Sequence, residues 1–189
     1  MLALLKAGAA FVPLDTEHPV GMLRGIMQPL KPNTILCSAK MNDQAARLAP
    51  HSLIIDKSLG LVSYTTSIDR EREHNTQPND LAYALFISGS TGTPKGVQIS
   101  HSNLSSAIHH QADFLGFANN ARSFDGSSYA FDACIFNFFY TIARGACLSV
   151  PNASIRKGDL SSFIAKREAN LAQLIPSISR TLDVGVLQP

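Results

Sequence analysis

The chain has 189 residues, 45% of them hydrophobic and 16% charged, which is enough to bury one domain core and unlike a disordered polymer. Sixteen basic against fourteen acidic residues leave a net charge of +2 with no basic stripe, so the electrostatic footprint of a nucleic-acid binder is missing. Cys37, Cys134 and Cys147 are odd in number and too widely spaced for a zinc or C-x-x-C site. We therefore expect reduced, buried thiols, no metal ligands and a cytoplasmic location. No stretch reaches the ~18 apolar residues of a membrane span.

The opening MLALLKAGAAFVP has the apolar run of a signal peptide, but Lys6 interrupts it and no basic region precedes it. A helix tail over 2–7, a stop at Gly8 and a strand over 9–12 fit better. A chain that starts inside a helix reads as a piece of a longer one. Pro19 occupies a first-helical-turn position, with Val20, Leu23, Ile26, Met27 and Leu30 at helical spacing behind it, and Pro29 and Pro32 should close that helix. A strand over 34–37, a short helix over 43–48 and a strand over 53–55 follow. The alternation predicts βαβ units and a mainly parallel sheet. Residues 63–80 turn polar and read as a surface connection.

The stretch LAYALFISGSTGTPKGVQIS comes next, at 81–100. An apolar run over 81–87 predicts a buried strand, and 97–100 a second extended segment. Between them Ser88, Gly89, Ser90, Thr91, Gly92, Thr93, Pro94, Lys95 and Gly96 bring together three glycines, four hydroxyls and one ammonium. Glycines let a ligand approach the main chain, successive unpaired N–H groups make an anion-binding concavity, and Lys95 adds charge. A polyphosphate is the natural guest. The order is not the Walker pattern, because Pro94 stands where that motif needs glycine, and no two glycines lie one residue apart as a dinucleotide fingerprint requires.

The string SGSTGTPKG closely resembles the phosphate loop of the adenylate-forming superfamily, which includes peptide-synthetase adenylation domains, acyl-CoA synthetases and luciferases. That family usually has threonine where Ile87 stands here. LLKAGAAFVPLD resembles an early core motif of the peptide-synthetase members, and IPSISRTL resembles their TPSxxRxL segment with Ile175 for threonine. The likeness implies that Ser88, Gly89, Ser90, Thr91, Gly92, Thr93, Lys95 and Gly96 bind the phosphates of ATP, with Mg2+ in the complete enzyme. His101 falls where the family carries a histidine just after the loop.

Beyond the loop, His101, Ser102 and Asn103 are capping candidates for a helix whose Leu104, Ile108, Gln111 and Leu115 share a face. His109 and His110 are adjacent and therefore diverge, so they read as solvated rather than ligating. Phe136, Phe139, Tyr140 and Ala143 mark a helix over 133–143, with Asp132 as N-cap candidate and Gly145 as its stop. Strands over 146–150 and 171–175, a helix over 159–169 capped by Asp159 and a short helix opening at Pro176 complete the rhythm.

YAFDACIFNFF resembles the substrate motif of peptide-synthetase adenylation domains, usually written FDAS, with Cys134 here for serine. The resemblance implies that Asp132 pairs the α-ammonium of an amino-acid substrate and that Ala133 and Phe136 line the side-chain pocket. Physical chemistry concurs, since a buried ammonium needs a partner and a carboxylate at a helix start is stabilised by the helix dipole. Aryl-acid relatives tend to carry asparagine at that aspartate, and many acyl-CoA synthetases carry histidine where Phe131 stands.

The expectation is thus an α/β fold, part of an adenylate-forming-enzyme N-terminal domain. Residues 1–189 should form an incomplete AMP-binding domain, truncated at both ends and lacking the C-terminal subdomain. Partners would be the amino acid, the remainder of the domain and a carrier domain, with neither nucleic acid nor membrane. Two alternatives stay open: a fragment of an acyl- or aryl-CoA ligase, and a catalytically inactive truncated product.

Overall fold

A computed structural model describes residues 1–56, 75–87, 94–183 and 185. The element order is α1 (Leu2–Lys6), α2 (Val20–Leu30), β1 (Thr34–Cys37), α3 (Asn42–Ala45), β2 (His51–Ile54), β3 (Leu81–Ile87) and β4 (Lys95–Ser100). It continues through α4 (His101–Gln111), β5 (Arg122–Phe124), α5 (Asp132–Ala143), β6 (Cys147–Ser149), α6 (Ala153–Arg156), α7 (Leu160–Lys166), β7 (Leu171–Ala172) and α8 (Pro176–Ser179).

Among the described residues the strands form three small sheets. β1 and β2 pair in parallel, with Thr34 opposite His51. β3 and β4 form an antiparallel pair in which Ile87 faces Lys95. The third sheet is parallel with the spatial order β6-β5-β7. The predicted parallel pairing therefore holds in two sheets. The β3–β4 pair is antiparallel, as the short connection over 88–94 requires, because a parallel pair needs a crossover of a dozen or more residues.

The core gathers where α4 and α5 cover β3. Ala82, Tyr83 and Leu85 of β3 pack with Phe11, Leu104, Ile135 and Phe139, and Met1, the N-cap of α1, presses against them together with Leu4 and Leu5 of that helix. A second cluster joins Ala112, Phe117 and Tyr140, where the Phe117 and Tyr140 rings meet edge to face at 5.4 Å. Each α5 residue that faces the core is apolar or internally bonded, apart from a polar row described below.

Local chemistry explains the departures from expectation. The strand expected over 9–12 reduces to one bridge, Phe11 to Tyr83. Pro19 is the N-cap of α2 rather than its first helical residue, and its carbonyl accepts the Met22 and Leu23 N–H groups. Pro29 lies inside the last turn of α2, which ends at Leu30 with Lys31 in the left-handed region (φ 44°), so the helix closes between Pro29 and Pro32 as expected. Ser100, not the residues after it, caps α4: its side chain accepts the Asn103 N–H while Asn103 returns a bond to the Ser100 backbone. Gly145, at φ +65°, follows α5 as its helix stop. The thiols divide: Cys134 is buried and Cys37 half-buried, but Cys147 is exposed on the edge strand β6. Among the described residues, no helix is long and apolar enough to cross a membrane.

Candidate functional site

The third sheet determines where a site can form. From β5 the chain runs through α5 to β6 on one side, then through α7 to β7 on the other side of β5. Strand order thus reverses at β5, and in open α/β sheets ligands settle in the crevice outside the carboxyl ends of the strands at such a point. A cavity of about 530 Å3 lies there. Gly126, Ser127 and Ser128 after β5 form one wall, Gln173 to Ile175 after β7 another, and Asp132 and Ala133 at the start of α5 a third. Arg156 and Leu160 contribute from α6 and α7.

Asp132 is the first residue of α5, one place later than the N-cap expected; Phe131 is the cap, in extended conformation. The difference has a chemical consequence. The carboxylate bonds only the Ala133 N–H, at 2.8 Å, among the described residues, so its remaining lone pairs are available. It is exposed and sits where the helix dipole favours an anion. The Tyr83 hydroxyl is held above its ordinary range chiefly by burial and secondly by that nearby carboxylate. Ala133 lines the same cavity. Phe136, on the same face of α5 four residues on, stacks on Tyr140 with centroids 3.8 Å apart and meets Phe117 edge to face. It belongs to the aromatic cluster and does not line this cavity.

The loop over 125–131 is pinned from three directions. Its Ser128 hydroxyl donates to Asp15 at 2.7 Å, a contact between residues 113 apart in sequence. The Glu17 N–H and then that hydroxyl hold the Asp15 carboxyl below its usual value. Arg156 donates to the Ser127 carbonyl at 3.0 Å and lays its guanidinium over the Tyr129 ring at 5.0 Å. From below, Asp125 accepts the Ser127 N–H at 3.0 Å. Gly126 is there of necessity: a Cβ at this position would lie 2.9 Å from the ring of Phe124, which is fully buried and cannot yield.

The predicted phosphate loop falls mostly outside the described residues: Ser88, Gly89, Ser90, Thr91, Gly92 and Thr93. Its flanks are described. Ile87 and Lys95 are register partners, so the antiparallel pair brings both ends of the loop together. Lys95 is exposed there, and Gly96 packs against Phe86, whose ring would lie 3.3 Å from an added Cβ. An exposed ammonium beside a glycine-rich closure fits an anionic phosphate chain. His101 starts α4 and gives its backbone N–H to the Asp80 carbonyl. His109 and His110 meet edge to face at 4.8 Å on the exposed side of α4, and no cluster of metal-ligating side chains occurs among the described residues.

Sequence reasoning missed the polar layer under the site. Asp125, Asn137, Ser128, Asp15 and Arg156 all shape the loop; Asp15 closes the LLKAGAAFVPLD stretch and Asn137 lies within YAFDACIFNFF, but neither likeness assigns them a role. Only the Asp-Gly-Ser-Ser run at 125–128, with its turn composition, hints at them.

Comparison with known proteins identifies the family and the fold. The family described as AMP-binding enzyme matches residues 1–188. The chain is 48% identical over 198 residues to cyclochlorotine synthetase of Talaromyces islandicus, covering 99% of this chain and 4% of that protein. ATP-bound MatB of Rhodopseudomonas palustris superposes with a TM-score of 0.74 at 23% identity, over 96% of this chain and 37% of that one. The peptide synthetase FmoA3, bound to α-methyl-L-serine-AMP, gives 0.75 at 18% identity over 94% of this chain and 20% of that one. At such identities the two structures establish the fold alone. The chain spans between 2% and 6% of the length of the fungal synthetases it matches. It belongs to the AMP-binding enzyme family.

Proposed function

We propose that this member of the AMP-binding enzyme family is the central part of the larger subdomain of an adenylation domain that activates an α-amino acid for nonribosomal peptide synthesis. One observation carries the reading. The Asp132 carboxylate stands at the start of α5 on the wall of a mostly apolar cavity, with a single local hydrogen bond and no cation paired to it among the described residues. An α-ammonium entering that cavity loses water and needs such a partner. Ala133 shapes the cavity beside it, and Phe136 acts from the aromatic cluster one turn along the same helix face.

Ser88, Gly89, Ser90, Thr91, Gly92, Thr93, Lys95 and Gly96 are the proposed cradle for the triphosphate of ATP, with Mg2+ accompanying it. The ATP-bound state of MatB and the cyclochlorotine synthetase likeness support this assignment. Bound ATP supplies an electrophilic α-phosphate and a pyrophosphate leaving group. This chain's contribution is to orient: Asp132 fixes the amino end of the substrate, and Lys95 offsets phosphate charge at the mouth of the loop. Positioning and charge stabilisation of that kind account for most of such catalysis. The rest of the domain and a carrier domain complete the parent enzyme, so the isolated chain should show no amino-acid-dependent exchange of pyrophosphate into ATP.

The test is that exchange, measured in the parent enzyme with a panel of amino acids. Asp132→Ala should lower kcat/KM for the amino acid by about a hundredfold or more, the loss expected when a desolvated charge is left unpaired. Lys95→Ala should mainly raise the KM for ATP. Exchange driven by carboxylic acids without an amino group would refute the amino-acid reading and favour an acyl-CoA ligase.

A further inference from the structure

Two polar side chains beneath the cavity have no place in the function described so far. Asp125, immediately after β5, is 1% exposed, and Asn137, in the second turn of α5, is fully buried. Neither lines the cavity. One oxygen of Asp125 accepts both the Ser127 N–H at 3.0 Å and the Asn137 amide at 3.2 Å. The Asp125 backbone N–H donates to Ser149 on β6, also at 3.0 Å. A single residue thus ties the strand end, the neighbouring strand, the loop that leads to Asp132 and the helix that carries it.

We propose that Asp125 and Asn137 form a buried latch that sets the position of the 126–131 loop and the first turn of α5, and so act as positioning residues for amino-acid recognition. The inference rests on the reading of Asp132 given above. Its geometry is specific: one end of the latch lies at the start of the loop and the other lies five residues past Asp132, so the latch closes the segment that presents the carboxylate. Stability alone does not account for the pair. Among the described residues, the Asn137 carbonyl, the Ser123 hydroxyl and the Thr141 hydroxyl are buried without partners. Apolar side chains of similar volume would avoid that desolvation, and burying a polar pair is a weak route to stability. What the pair supplies is a directional constraint. The Cys134 thiol lies against the same latch; its pKa is pushed up to about 12, first by burial and then by the Asp125 carboxylate with which it shares a hydrogen bond.

The test exploits the near-identical shapes of aspartate and asparagine. Asn137→Asp, Asp125→Asn and the double exchange Asp125→Asn with Asn137→Asp are made in the parent enzyme. Asn137→Asp sets two carboxylates against each other, whereas the double exchange restores one acid and one amide in swapped order. The amino-acid KM of Asn137→Asp should rise about tenfold or more while the ATP KM changes less than about twofold, and the double exchange should recover most of the loss. Alkylation of Cys134 by iodoacetamide should accelerate in Asn137→Asp and slow again in the double exchange. Equal shifts in the KM values of both substrates, or a double exchange no better than the single, would overturn the latch. So would parental KM values together with parental labelling. If Asn137→Asp fails to fold, the double exchange decides alone: a folded protein with near-parental amino-acid KM supports the proposal, and a folded protein with that KM lost overturns it. Asp132→Ala runs in parallel. If it leaves amino-acid use intact, the substrate reading fails, and the latch is then judged on Cys134 labelling alone.

Discussion

The two parallel sheets of this chain share one pairing geometry and little else. β1 and β2 alternate exposed and half-buried residues, leaving Leu36 at 41% and Leu53 at 46% exposure. Beneath them, α2 and α3 leave a cavity of about 640 Å3 lined by Phe11, Leu23, Met27 and Ile35. β5 has a partner on each side, and its Ser123 and Phe124 are buried. Being flanked on both edges lets β5 lead into a buried carboxylate that accepts from the Ser127 N–H and the Asn137 amide. The two-stranded unit has no such protected end. The proposed recognition site lies at the C-terminal end of β5, beside the better-protected sheet.

The contrast can be attacked in order of expected effect. The largest is chemical. With its side chain buried and its pKa raised to about 12, Cys134 should react with iodoacetamide near neutral pH far more slowly than an ordinary exposed thiol, while Cys147 on the edge strand labels freely. Mass spectrometry of the labelled peptides measures both, and comparable rates would contradict the sealed character of the β5–α5 layer. Next is packing. Phe124→Ala should cost about 3–5 kcal/mol in denaturant unfolding, whereas Leu36→Ala on β1 should cost well under that of a core truncation, about 1 kcal/mol or less. Equal costs would erase the distinction between the sheets. Gly126→Ala forces a Cβ toward the Phe124 ring and should cost about 1–3 kcal/mol by overpacking, measured the same way.

Two smaller effects sharpen the picture. Asp159 caps α7 by accepting the Ser162 N–H at 2.9 Å, so Asp159→Ala should remove about 1 kcal/mol. Asp15 has a folded-state pKa below its unfolded one, so its contribution is present above the ordinary carboxylate range, about pH 4, and is lost as pH falls through the lower folded value. Stability profiles of the parent and of Ser128→Ala should converge toward acid pH as that bond is lost; parallel profiles would show that the contact contributes nothing.

Much of this could be read from residues, for identifiable reasons. Val20, Leu23, Ile26 and Met27 keep a helical period over 11 residues, and the structure places α2 on them. The β3 run from Leu81 to Ile87 is apolar at every position but Tyr83 and matches the expected span residue for residue. β5 was illegible. It is three residues long, opens with an arginine that bonds the α7–β7 connection, and includes a serine, so neither apolar content nor alternation marks it. The helix over 153–156 escaped notice equally, being one turn capped by Asn152. At the site, Asp132 and Ala133 stood out through the likeness of FDAC to a known motif. Asp125 and Asn137 did not, because their meaning lies in a meeting across a strand and a helix that no local pattern records. Phe136 was legible as a helix residue, but its stacking on Tyr140 and Phe117 depends on a loop 19 residues earlier than itself, at Phe117.

The bond from Ser128 to Asp15 carries a kinetic implication. Its partners are separated by 113 residues, and closing so long a span costs conformational entropy that grows only with the logarithm of its length but must be met before the contact yields anything. During synthesis Asp15 leaves the ribosome long before Ser128 exists. The 126–131 loop is therefore expected to take its final shape late in folding.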